Sequence, residues 1–203
     1  MTRIKFCGIR RDCEIQAVNT LKPDFIGFVF AQGSKRYVEP EQARRLKESL
    51  IPGIQTVGVF VNADVPLVGE LLNEGVIDLA QLHGKEDEAY IRSLRSITEK
   101  PLIQAFRMDT EKDREEAIHS SADYILLDSG NGGTGTVFDW SLIREIYRPF
   151  FLAGGLNPEN VGAAIADLHP FAVDVSSGIE TDGKKDMKKM AAFLAAAGKE
   201  EQS

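Results

Sequence analysis

Cys7, His83 and Asp128 are the side chains best suited to move a proton in this sequence, and each stands at or just past the end of a short apolar run. In Lys5-Phe6-Cys7-Gly8, strand alternation puts Lys5 and Cys7 on one face and Phe6 on the other. A thiol beside a lysine can form a thiolate base or nucleophile, although a small core residue is an equally simple use for it. Cys13 requires no more than packing or exposure. Asp128 follows Ile125-Leu126-Leu127, where a carboxylate is costly unless paired, exposed or used. It is the general-acid candidate, with a helix cap or a satisfied structural carboxylate as the other reading. Gln81 and His83 share a strand face and frame a polar wall, in which His83 is either an acid–base group or a satisfied ring. Asp174 shares the face of Ser176, opposite Val173 and Val175. Arg36, in Ser34-Lys35-Arg36-Tyr37, carries a fork that fits a carboxylate, unless it is a surface loop charge.

Two glycine segments suit an anion. They are Ala153-Gly154-Gly155-Leu156 and Ser176-Ser177-Gly178-Ile179. Glycine lets backbone N–H groups approach a phosphate closely, and a following helix start adds a positive dipole end. Two tight turns would explain the same residues. Gly154, Gly155, Ser177 and Gly178 are thus the candidate phosphate contacts. A third glycine-rich segment, 130–135, is the candidate for a lid that closes over substrate.

These residues need a frame that gathers them. Strand-like runs cover 3–9, 25–30, 55–61, 79–82, 101–107, 124–128, 150–153 and 171–176, rich in Val, Ile and Phe. Amphipathic stretches separate them, the alternation of βαβ units in a parallel sheet. Eight units predict a closed (β/α)8 TIM barrel, an α/β fold whose chemistry sits on the loops after the strands. Asp64 before Val65-Pro66 reads as a helix start, and so does Asn157-Pro158-Glu159. Gly75 and Gly198 read as helix stops. Over 186–197, the spacing of Met187, Met190, Ala191 and Leu194 marks one buried helix face.

The chain has 203 residues, enough for one substantial core, and no Pro- or Ser-rich linker divides it. Residues 1–203 are therefore expected to form a single catalytic barrel domain with tight loops. A net charge of −7 gives no support to binding nucleic acid or an anionic membrane. Lys184, Lys185, Lys188 and Lys189 make a local basic stretch, expected to be a solvated helix face. No apolar run reaches membrane-spanning length, and the two cysteines match no zinc spacing. The reduced cytoplasm is the expected compartment.

With these motifs in order, the chain closely resembles the phosphoribosylanthranilate isomerase family. The resemblance runs through Lys5-Phe6-Cys7-Gly8-Ile9, Gly27-Phe28-Val29-Phe30, Ser34-Lys35-Arg36-Tyr37, Gly58-Val59-Phe60-Val61-Asn62 and Gln81-Leu82-His83-Gly84. It continues through Leu127-Asp128, Gly132-Gly133-Thr134-Gly135, Phe138-Asp139-Trp140 and 154–161, and closes with 174–180 and 183–186. Arg10 departs from the family's usual Thr. The resemblance implies an Amadori rearrangement in tryptophan biosynthesis, with Asp128 as acid and Cys7 as base. It implies Arg36 on the anthranilate carboxylate, Asp174 near the anthranilate amine, His83 in the substrate site, and phosphate on the last two loops. The acid should be pushed up in pKa and the thiol down. No metal or organic cofactor is implied, because the substrate's nitrogen is the electron sink. The partner implied is a small phosphorylated substrate, for a monomer or homodimer. A histidine-pathway sugar-phosphate isomerase shares the barrel but uses Asp where this chain has Cys7. A non-catalytic phosphometabolite-binding module is the remaining alternative.

Overall fold

The computed structural model describes residues 1–128, 140–143 and 146–198. The expected lid segment, 130–135, lies outside the described residues. Eight parallel strands close into a barrel in chain order. They are β1 (Arg3–Cys7), β2 (Phe25–Val29), β3 (Gln55–Phe60), β4 (Leu79–Leu82), β5 (Leu102–Arg107), β6 (Tyr124–Asp128), β7 (Phe150–Ala153) and β8 (Ala172–Val175). The helices are α1 (Asp12–Leu21), α2 (Pro40–Glu48), α3 (Val65–Asn73), α4 (Glu88–Arg95), α5 (Glu111–His119), α6 (Val161–Leu168) and α7 (Met187–Ala196). A 3-10 turn, Trp140–Leu142, is the described helical piece after β6.

The strands are mostly buried on both faces, as parallel strands must be when helices cover them. Outward residues such as Ile4, Phe6, Ile26, Phe28 and Leu127 join the helices in one large core. Inward residues form layers. The lower layer holds Phe25, Val57, Leu79, Ile103, Leu126 and Phe151, with Arg3 stacked 4.8 Å from the Phe171 ring centre. Above it lie Lys5, Gln81 and Asp174, and then Cys7, Val29 and Val59. The barrel is filled below and polar above, so the chemistry belongs at the C-terminal rim.

Several strands are shorter than the apolar runs. β1 stops at Cys7 because Gly8 turns to φ +83°, and β3 stops before Asn62, at φ +52°. Asp64 stands in extended backbone just before α3, without a side-chain capping bond, and Gly75 and Gly198 take positive φ beyond α3 and α7. Three helix expectations need correction. Asn157 does not begin a helix. Its side chain accepts from the N–H of Glu159 and Asn160 in a turn, and α6 starts at Val161 behind Asn160. Met187 is also not on the buried face; it is exposed, and Met190, Phe193 and Leu194 make the contact. Residues 184–185 are no helix either. They form β10 (Lys184–Lys185), paired antiparallel with β9 (Glu180–Thr181).

Candidate active site

Cys7, Arg36, His83, Asp128 and Asp174 open onto one cavity of about 450 Å³ at the strand C-termini, with Gly154, Gly155 and Ser177 on its wall. Cys7, His83, Asp128 and Asp174 lie near the C-terminal ends of their strands, so barrel closure gathers them, whereas Arg36 reaches the cavity on the loop after β2.

Cys7 faces inward at the end of β1, opposite Gly27 of β2. A Cβ on Gly27 would stand 2.8 Å from the Cys7 Sγ, so this glycine makes room for the thiol. Burial pushes the Cys7 thiol up, and the nearby ammonium of Lys5 only partly offsets it. The expected downward shift is thus reversed in the resting pocket.

Lys5 is fully buried. Its Nζ donates to Asp174 Oδ2 and to Gln81 Oε1, each at 2.9 Å. Burial opposes its charge, but Asp174 and Cys7 more than compensate and raise its pKa. This contact fixes more than a charge. Because an ammonium only donates, the Gln81 oxygen must face Lys5 and the amide nitrogen must face His83. Gln81 Nε2 lies 2.7 Å from His83 Nδ1. Nδ1 therefore accepts, and the ring proton sits on Nε2, 3.6 Å from Asp128 Oδ2. A line of contacts thus runs from Lys5 of β1 through Gln81 to His83, which stands 3.6 Å from Asp128 at the end of β6. Asp174 Oδ1 is buried and has no hydrogen-bond partner among the described residues.

Arg36 lies on the loop between β2 and α2, which returns to β2 through the Val38 N–H on the Val29 carbonyl. Ser34 Oγ accepts from the Arg36 N–H at 3.1 Å. The guanidinium donates to Glu180 through Nε at 2.7 Å and Nη2 at 2.8 Å. Glu180 also accepts from Lys185 Nζ at 2.7 Å. Burial alone would raise the Glu180 carboxyl, but the two cations hold it down at about 2. Lys185 is 1 % exposed and donates as well to the Ser176 carbonyl at 2.9 Å. The basic stretch is thus no solvated helix face at this position. Its buried lysine braces the site wall, and neither Glu180 nor Lys185 was a sequence candidate. Strand-length alternation stops at Val175, so no periodic signal aims either residue inward. Arg10 straps the same region from outside, donating to the Lys35 carbonyl at 2.8 Å and the Gly183 carbonyl at 3.2 Å.

Gly154 and Gly155 adopt φ of +93° and +62°, which only glycine takes without strain. Ser177 opens a short 3-10 turn, Ser177–Ile179, so its N-terminal end meets the cavity. Gly178 stands behind this wall. A Cβ there would be 2.0 Å from the Leu156 carbonyl oxygen, so it is the packing of the two loops that requires glycine. Among the described residues no cluster of three or more ligating side chains is placed to hold a metal, and no helix is long and apolar enough to cross a membrane.

The sequence matches the family model for N-(5'-phosphoribosyl)anthranilate isomerase over residues 4–196. A relative of that name from Endomicrobium trichonymphae is 44% identical over 194 residues, 94% of this chain and 95% of its own length. The phosphoribosyl anthranilate isomerase structure from Thermotoga maritima superposes with a TM-score of 0.89 at 40% identity, covering 98% of this chain and 99% of that one. A structure of such an isomerase in complex with reduced 1-(o-carboxyphenylamino)-1-deoxyribulose 5-phosphate gives 0.86 at 39% identity, with the same coverage. A third structure, of monomers generated from the dimeric Thermotoga maritima enzyme, gives 0.85 at 38% identity, again with the same coverage.

Proposed function

Because the chain belongs to the N-(5'-phosphoribosyl)anthranilate isomerase family, we propose that Asp128 is the acid and Cys7 the base of its reaction. The enzyme is an isomerase of tryptophan biosynthesis, converting N-(5-phosphoribosyl)anthranilate to 1-(2-carboxyphenylamino)-1-deoxyribulose 5-phosphate. The observation that carries the residue assignment is the one cavity onto which both groups open.

In this reading Asp128 gives a proton to the furanose ring oxygen. The ring C–O bond breaks, and the anthranilate nitrogen lone pair forms the iminium. Cys7 thiolate then takes the C2 proton, and the C–H electrons flow to nitrogen as an enolamine, which tautomerises to the ketone. The reaction is a net isomerisation with no redox partner. Lys5 supports the thiolate as its neighbouring cation, because a paired buried charge costs far less than a lone one. His83, its ring oriented by Gln81, lines the cavity beside Asp128, with Nε2 3.6 Å from Asp128 Oδ2. The second oxygen of Asp174 is the acceptor for the substrate's amine N–H. The glycines after β7 and the turn after β8 receive the phosphate. Arg36 receives the anthranilate carboxylate. We place the enzyme in the cytoplasm, as a monomer or a homodimer.

The assignment is tested by anthranilate-fluorescence kinetics with freshly prepared substrate. Cys7→Ser and Asp128→Asn should keep the circular dichroism of the barrel and lose about 10² to 10⁴ in kcat. Folded variants with near wild-type turnover would show that the pair is wrongly assigned.

A further inference from the structure

The guanidinium proposed to receive the substrate carboxylate already holds a carboxylate of its own. Arg36 and Glu180 form a two-point pair, and such a pair is neutral. A neutral pair has little attraction for a second anion. What changes the balance is Lys185, whose ammonium reaches the same Glu180 oxygen that Arg36 Nε reaches, each at 2.7 Å. Two cations and one anion then stand at the cavity wall, with a net positive charge.

We propose that Lys185 is a specificity-determining residue, which neutralises Glu180 and so leaves the charge of Arg36 available to the carboxylate of the substrate. The inference rests on the placement of that carboxylate at Arg36. Three features of geometry support it. Lys185 Nζ has three acceptors, namely the Ser176 carbonyl, Ser176 Oγ at 3.3 Å and Glu180, so it has no donor left for a ligand and acts only through its charge. The ammonium is almost fully buried while Arg36 is 30% exposed, so the free face of the cluster is the arginine's. Arg36 Nη1 makes no hydrogen bond among the described residues, and Arg36 lines the cavity. Glu180 in turn sets the plane of the guanidinium through two bonds, which a single ligand contact could not do.

The test uses two stable ligands in titration calorimetry. One is reduced 1-(2-carboxyphenylamino)-1-deoxyribulose 5-phosphate, and the other is its counterpart without the carboxylate. Lys185→Met should weaken the carboxylate ligand about tenfold, the scale of one screened charge at a partly buried site, and leave the counterpart unchanged. Lys185→Arg should restore binding. The deciding variant is the double Glu180→Gln/Lys185→Met, which removes one charge of each sign. It should recover affinity for the carboxylate ligand, whereas a merely structural role for Lys185 makes the double variant worse than the single one. Equal losses for both ligands, or no recovery in the double variant, would overturn the inference. Arg36→Ala separates the two levels. If it fails to discriminate between the ligands, the carboxylate is not at Arg36 and both readings fall. If it discriminates and Lys185→Met does not, only the role of Lys185 falls.

Discussion

In the proposed mechanism Cys7 and Asp128 carry one proton between them, and that fixes the pH profile. Thiolate with carboxylic acid and thiol with carboxylate have the same proton count, so kcat/KM is level between the two ionisations. The alkaline limb reports loss of the shared proton through the thiol. Burial raises that thiol above its ordinary 9.0, so kcat/KM should hold from neutral pH to about 9 and fall only beyond it. Initial rates against pH check this, and a decline centred near pH 7 would contradict it. The residues that carry this argument are legible in the sequence because strand alternation aims them. Lys5, Cys7, Asp128 and Asp174 each share a face with the barrel interior. Gly27 is not legible, since its reason is a sulfur on the neighbouring strand. Glu180 and Lys185 are missed because a two-residue strand has no period to read.

At the scale of elements, the loops after β7 and β8 are one structure. Gly178 packs directly on the Leu156 carbonyl, with backbone on both sides. Gly178→Ala should part the two loops and raise KM about tenfold, since a small displacement of convergent N–H groups is costly. Gly183→Ala is the matched control. It carries φ +71° but would meet open space, so it should cost only about 1 kcal/mol of backbone strain with KM unchanged. Steady-state kinetics with thermal melts of both variants decide the point, and equal effects on KM would deny the coupling. The strand count and order were readable from eight apolar runs. The ends were less so, because Ser176 and Phe171 look strand-like in isolation while the ladder takes in only Ala172–Val175. The start of α6 differs from the sequence expectation for a related reason. Asn157 has the right side chain for a cap, but it closes a turn of its own before Asn160.

For the molecule as a whole, acid should act through the same wall that shapes the site. Glu180 sits at about 2 in the fold against an ordinary 4.5. A depressed carboxyl adds stability above its unfolded value and loses it as pH falls through the folded one. The melting temperature should therefore drop between pH 4.5 and about 2, with a shallower slope in Glu180→Gln. Melts followed by circular dichroism across that range check it, and identical slopes would count against the assignment. The Lys5–Asp174 pair carries a different consequence. These two residues are register partners on the first and last strands of the barrel, 169 positions apart. During synthesis the lysine of the first strand leaves the ribosome 169 residues ahead of its counter-charge on the last. A prematurely released chain keeps a cation facing an apolar interior and has no means of burying it. The ion pair at the seam thus works as a check on completeness, because the lysine beside the Cys7 thiol is tolerated inside only when the whole circle of strands has closed.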